Sequence, residues 1–266
     1  MWKEIKIESW HEFNDVISHL HYNEWIFRGQ RNSVWDLQSS LFREIQKVTK
    51  QPTNEDCVTI ENKMVNEFYS SAHLYSSLEF QVPIKENEKD LVNFRLEPLS
   101  VMQDYGTPTR LLDWTRSPYI AAFFALDGAE DNFSIYALNV RELEKFDNDR
   151  YGDVFYQYKR AIFSPETISE LFIFRYDPYQ KNERLRIQQG VFLVPSVINK
   201  TMDDILEVYN IEDNKLNGKD VTYKLTFNKE NLQDYWYKLA QMNITHETIY
   251  PGLEGFCRSL KLHILL

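Results

Sequence analysis

Short runs of branched and aromatic residues alternate along this chain with longer stretches in which apolar positions recur at helical spacing. Lys3-Glu4-Ile5-Lys6-Ile7 reads as an opening strand. Ser9 then stands as an N-cap, with Glu12 three residues on as in a capping box, so a helix follows. Trp25-Ile26-Phe27-Arg28-Gly29 predicts a second strand, stopped at Gly29 and carrying Arg28 at its end. Between 54 and 78, Val58, Ile60, Met64, Val65, Phe68, Ala72, Leu74, Tyr75 and Leu78 fit helical spacing better than alternation. The mostly polar residues 81 to 90 predict a surface loop, and 91 to 102 a further helix, kinked or restarted at Pro98.

Gly106 and Pro108 end that helix near Met102 and open a structured loop that runs to Pro118. From Tyr119 to Leu126 nearly every residue is apolar, the signature of a helix buried on all sides. Strands are predicted at 133 to 140, 190 to 194 and 223 to 227, and helices at 229 to 242 and 253 to 262. Strands and helices mix without regular βαβ alternation, and there is no repeat, low-complexity tract or linker. The expectation is a single α+β domain over 1–266, with a small mixed or antiparallel sheet, a helical insertion at 54–102 and C-terminal helices at 229–266.

Composition narrows the function classes. The 266 residues are 43% hydrophobic, enough for a full core, and 30 basic against 40 acidic residues leave a net charge of −10. That balance argues against broad electrostatic binding to nucleic acid or to an anionic membrane, while leaving room for a local basic pocket. The two cysteines, Cys57 and Cys257, form neither a disulfide framework nor a zinc site, and His19-x-His21 lacks supporting ligands. With no signal peptide and no bilayer-length apolar run, a cytoplasmic protein without a membrane partner is expected.

Chemistry gathers beside the turn residues. Arg28, Arg43, Arg110, Arg116, Arg184 and Arg186 lie in or next to loops bearing glycine, proline or paired glutamines, and guanidinium forks bind phosphate or carboxylate bidentately. Any one of them, taken singly, reads better as a surface or salt-bridged residue; their coincidence with turn chemistry is what suggests an anion pocket. Asp113 has three readings: partner of an arginine, helix cap, or contact to a sugar hydroxyl, with Thr115 and Ser117 as rival caps. Trp114 and Tyr105 offer rings for stacking on a planar ligand, or core packing. No GxSxG, P-loop or GxGxxG pattern occurs.

Phe27-Arg28-Gly29-Gln30, Trp35-x-Leu37-x-x-Ser40-Leu41-x-Arg43, and Tyr105-Gly106-x-Pro108-Thr109-Arg110-Leu111-Leu112-Asp113-Trp114-Thr115-x-Ser117-Pro118 resemble the FRG domain family. The resemblance extends through Glu61 to Phe68, Gln189-Gly190-x-Phe192 and Tyr250-Pro251-x-Leu253-x-Gly255. One departure is Asp104, where the family commonly has histidine. A more distant similarity, an Arg-Gly strand and a polar triplet five residues ahead of Ala-x-Phe-Phe-Ala, is to ADP-ribosyltransferases.

It implies a transferase-like fold and NAD as substrate. Arg28, with Gly29, Gln30 and Arg43 nearby, would hold the NAD phosphates or ribose, with Arg110, Tyr105, Trp114 and Thr115 completing the pocket. Asp113-Trp114-Thr115 would occupy the polar triplet. Gln188 or Gln189 would stand where the transferases carry a glutamate, so Asp113 or Glu183 would have to supply the missing carboxylate. The activity implied is ADP-ribosyl transfer or NAD hydrolysis by a toxin or effector in bacterial conflict such as phage defence, acting on a protein or nucleic-acid target. The alternative is a recognition module that binds a nucleotide, another phosphate-bearing molecule or a nucleic-acid terminus without turnover.

Overall fold

The computed structural model of the chain describes residues 1–76, 88–163, 170–179 and 181–265. Its strands are β1 (Lys3–Ile7), β2 (Trp25–Gln30), β3 (Leu112–Thr115), β4 (Phe133–Asn139), β5 (Ile173–Tyr176), β6 (Gly190–Pro195), β7 (Lys215–Leu216), β8 (Lys219–Asp220) and β9 (Thr222–Phe227). The first helices are α1 (Trp10–Ser18), α2 (Ser40–Val48), α3 (Asn54–Ser71), α4 (Glu88–Asp104) and α5 (Pro118–Leu126). Then come α6 (Val140–Tyr151), α7 (Val154–Phe163), α8 (Glu183–Ile187) and α9 (Met202–Leu206), and finally α10 (Leu232–Gln241), α11 (His246–Ile249), α12 (Leu253–Ser259) and α13 (Leu262–Leu265).

Seven strands form one sheet in the order β1-β9-β4-β2-β3-β6-β5, and β7 pairs with β8 in a small hairpin. β1 runs parallel to β9 and every other pairing is antiparallel, so the sheet is mixed and larger than the small one expected. The class is α+β. β4, buried at all seven positions, sits at the heart of the sheet, where strands covered on both faces read as unbroken apolar runs.

α5 covers the centre of one face. Ser117 caps it through its Oγ, accepting from the Ile120 amide at 3.3 Å, and Pro118 opens it, which settles the choice among the three candidate caps. The helix packs so closely on β2 that a Cβ on Gly29 would lie 2.0 Å from the Ala121 carbonyl oxygen. Gly29 therefore serves helix–strand approach. It does not end the strand: β2 continues to Gln30, pairs along its length with β4, and carries Arg28 in its interior opposite Tyr136.

The expected helices at 54 to 78 and 91 to 102 are present as α3, which ends at Ser71 before a single 3-10 turn, and α4, which runs through Pro98 without interruption. The loop expected at 81 to 90 lies outside the described residues except for its last three, which begin α4. The segment 103–117, read as loop throughout, contains β3, a four-residue strand too short to show periodicity.

Among the described residues no helix is long and apolar enough to cross a membrane.

Candidate functional site

β2, β3 and β6 lie side by side in the sheet, and beside them the described structure opens into a cavity of about 320 Å³. Its walls bring Arg28 from β2, Asp113, Trp114 and Thr115 from β3, and Gln188 from the turn before β6 into one place. α4 contributes Gln103 and Asp104, α8 contributes Arg184, and Tyr250 closes the far side.

Two further concavities adjoin it. One of about 830 Å³ is lined by Gln30, Arg31, Trp35, Arg43 and Arg258, and one of about 350 Å³ by Arg43, Ser40, Gln103 and Asp113. Arg28 borders all three.

Arg28 is held and partly dehydrated. Its Nη1 donates to the Asp113 carbonyl oxygen at 2.5 Å, while its Nε is buried with no partner. Burial pulls the guanidinium below the ordinary arginine range, the Asp113 charge offsets this, and Arg43 adds to the lowering. An arginine nonetheless stays protonated in any accessible pH range, so the cleft contains a fixed cation with unspent hydrogen-bonding capacity.

Asp113 turns its carboxylate into the cleft, where Gln103 Nε2 donates to it at 2.7 Å. Gln103 in turn accepts from the Thr109 hydroxyl. Thr109 is pinned to the start of α2, its amide donating to Ser40 Oγ at 3.0 Å. Asp104 accepts from Asn182, the residue that caps α8. Burial raises the Asp104 carboxyl above the usual range, with Asn182 and Arg184 opposing and the Asp113 charge adding to the rise. The cavity therefore holds two carboxylates in different surroundings.

Other residues singled out from the sequence have different places. Arg110 does not reach the cleft: it is 1% exposed, and its Nε lies 2.9 Å from both Glu61 carboxylate oxygens, with Nη1 donating to the Ala161 carbonyl at 3.4 Å. Its role is structural, tying the segment before β3 to α3 and α7, which corrects the expectation that it binds ligand.

Gln189 has a positive φ of 48° and is exposed; its Oε1 accepts from Tyr22 at 3.4 Å, and it does not line the cavity as Gln188 does. Tyr105 is 83% exposed and lines none of the three concavities. Glu183 does not line the cavity either. Trp114 is almost wholly buried in an apolar cluster with Ile26, Leu112 and Val191, while still counting among the residues that line the cavity. The Thr115 hydroxyl donates to the Gln188 carbonyl at 2.7 Å and accepts from the Ser117 amide at 3.1 Å, so it braces β3 against the turn before β6. Arg116 pairs with Asp177 at 2.7 Å.

Residues 23–133 match the family described as FRG domain. The chain carries an FRG domain. The match includes Arg28, Gly29, Gln103, Asp104, Asp113, Trp114 and Thr115, and ends at the first residue of β4. The FRG domain thus supplies the Arg28 side of the cleft, and Arg184, Gln188 and Tyr250 from beyond it complete the wall. No curated protein and no solved structure matches the chain.

Phe124 and Arg31 escaped the sequence reading. Phe124 is hidden inside an apolar run, and Arg31 lies one residue past the Phe27–Gln30 motif that drew attention to Arg28. Asp104 was visible only as a departure from the family pattern. No group of three or more histidine, cysteine, aspartate or glutamate residues suited to a metal occurs among the described residues.

Proposed function

We propose that the cleft binds a phosphate-bearing nucleotide, with NAD as substrate for ADP-ribosyl transfer or hydrolysis. The observation that carries this reading is Arg28: a fixed, partly dehydrated cation on a central strand, with an unpartnered Nε, facing two carboxylates across a cavity of about 320 Å³. In NAD cleavage the bond between ribose C1′ and the nicotinamide nitrogen breaks, and its electron pair leaves with neutral nicotinamide. Positive charge develops on the ribose, which the Asp113 carboxylate in the cavity wall would stabilise. The incoming nucleophile, water or a group on a protein or nucleic-acid target, forms the new bond to C1′ and loses its proton to Asp104, whose raised affinity for protons suits a base. Use as a toxin or effector in phage defence belongs to the same reading, because consuming NAD or modifying a target would disable a host cell.

A second reading is recognition without turnover, and one observation favours it. Gln188, one of the two residues that would stand where the transferases carry a glutamate, has a neutral amide whose Nε2 donates to the Ile249 carbonyl at 3.3 Å. A neutral side chain spent on the backbone cannot stabilise a cation by charge.

Incubating the protein and its Arg28→Ala variant with NAD separates the readings. Nicotinamide release that falls at least tenfold in the variant supports cleavage. NAD binding without release supports recognition. If Arg28→Ala changes only the unfolding midpoint and NAD does not bind, the cleft has a structural role alone.

A further inference from the structure

The concavity of about 830 Å³ beside the first is not used by the chemistry above, and its walls are distinctive. Arg28 and Gln30 are two apart on β2 and project from the same face of the sheet. Gln30 is 8% exposed; its Nε2 donates to the Asp36 carbonyl at 3.3 Å and its Oε1 is buried without a partner. One strand thus brings an unpartnered donor, Arg28 Nε, and an unpartnered acceptor, Gln30 Oε1, to the same wall. Buried polar atoms left unpaired in a native structure mark strain or an absent ligand.

The loop after β2 completes the chamber. Ser33 donates its amide to the Asn132 carbonyl at 2.8 Å, Val34 donates to Asn32 Oδ1 at 3.0 Å, and Leu37 is fully buried, so the loop is anchored at both ends. On it Trp35 stands 48% exposed, with the Arg31 guanidinium 5.6 Å from its ring centroid. Neither Arg31 nor Arg43 has a carboxylate within 4.0 Å among the described residues, in a chain whose net charge is −10. Of the two acids of the chamber, Asp127 is 3.0 Å from the buried His246, and Asp36 is exposed on the loop. Exposed indole, unpaired guanidiniums and an unpartnered donor and acceptor are the groups that a planar base, a phosphate and a sugar or amine donor require.

The geometry points to this chamber as a nucleoside monophosphate subsite, with the base on Trp35 and the phosphate between Arg28 and Arg43. It deepens the nucleotide reading of the cleft, on which it rests. A dinucleotide would lie across Arg28, with one half in each chamber and the bridging phosphates at the residue that borders both.

Calorimetric titration of the full chain with AMP tests this directly. The expected result is saturable binding that weakens at least tenfold in Trp35→Ala, survives in Trp35→Phe because a ring is retained, and leaves the unfolding midpoint unchanged in both. Absence of AMP binding to the unsubstituted chain, or equal affinity in Trp35→Ala, overturns the subsite whatever NAD does. The parent reading is judged separately by nicotinamide release. AMP binding that depends on Trp35 without NAD cleavage keeps the subsite and removes the enzyme. NAD cleavage with AMP affinity indifferent to Trp35 keeps the enzyme and removes the subsite.

Discussion

Gly29 and Asp147 show how a single atom or proton sets what this fold tolerates. A methyl group at Gly29 would meet the backbone of α5 at 2.0 Å from the Ala121 carbonyl oxygen and 2.6 Å from the Ala125 nitrogen, and backbone cannot rotate aside as a flexible side chain can. Gly29→Ala is expected to destabilise the protein by about 3 kcal/mol, as overpacking in a tight core does, measured by urea denaturation.

Asp147 is 1% exposed and accepts from Tyr209 at 3.0 Å, and burial pushes its carboxyl up to about 7. The folded state therefore holds this proton more tightly than the unfolded chain. Its contribution to stability is complete below about pH 4, declines as pH rises towards 7, and changes little above that. Asp147→Asn should flatten this decline and stabilise the protein at pH 8 by on the order of 2 kcal/mol, read from unfolding midpoints across the pH series.

Among elements, the join between the α3 helix and the segment leading into β3 rests on one buried ion pair. Arg110 and Glu61 have side chains 1% and 2% exposed. Two ions out of water need each other, so removing one is far costlier than removing both. Glu61→Gln is expected to lower stability by about 3–5 kcal/mol, and Glu61→Met combined with Arg110→Leu by much less, compared by thermal denaturation. The same pairing explains why a sequence reading misplaces Arg110. Arg28 and Arg110 both lie near turn residues, and what separates binding from bracing is a carboxylate 49 positions away that only the folded chain brings near.

At the scale of the whole molecule, an acidic chain gathers around one cleft arginines that have no salt-bridged carboxylate among the described residues. Arg28, Arg31 and Arg43 border the larger chamber, and Arg184 borders the smaller. Binding of an anionic nucleotide there should weaken steadily as sodium chloride rises from 50 to 500 mM, as screening of partly exposed charges requires, whereas a ligand held by apolar contact would be indifferent. Titrations of AMP at a series of salt concentrations distinguish the two. The FRG match covers only 23–133, yet β2 lies between β3 and β4 in the sheet and the cleft is completed by Gln188 and Tyr250. The cleft is therefore built from more of the chain than the matched segment.

Local pattern alone pointed to the strands at β1, β2, β4, β6 and β9 and the buried helix α5, because short runs or alternations of branched and aromatic residues favour strands, and the apolar run of α5 has few other ways to bury itself. It also drew attention to Arg28 and Asp113, with structural and ligand-binding readings side by side for each. The tertiary structure decided the rest. Four residues of β3 became a strand because β2 and β6 flank them with hydrogen-bonding edges, a condition that no period within the segment can signal. Gly29, read as a turn, became a contact surface because α5 returns across the sheet to meet it. Gln188 and Gln189, adjacent in sequence, went respectively into the cleft and out to Tyr22, since the left-handed backbone at Gln189 reverses the chain between them. Each of these outcomes depends on contacts between residues far apart in the chain, which local sequence constrains only through the fold it builds.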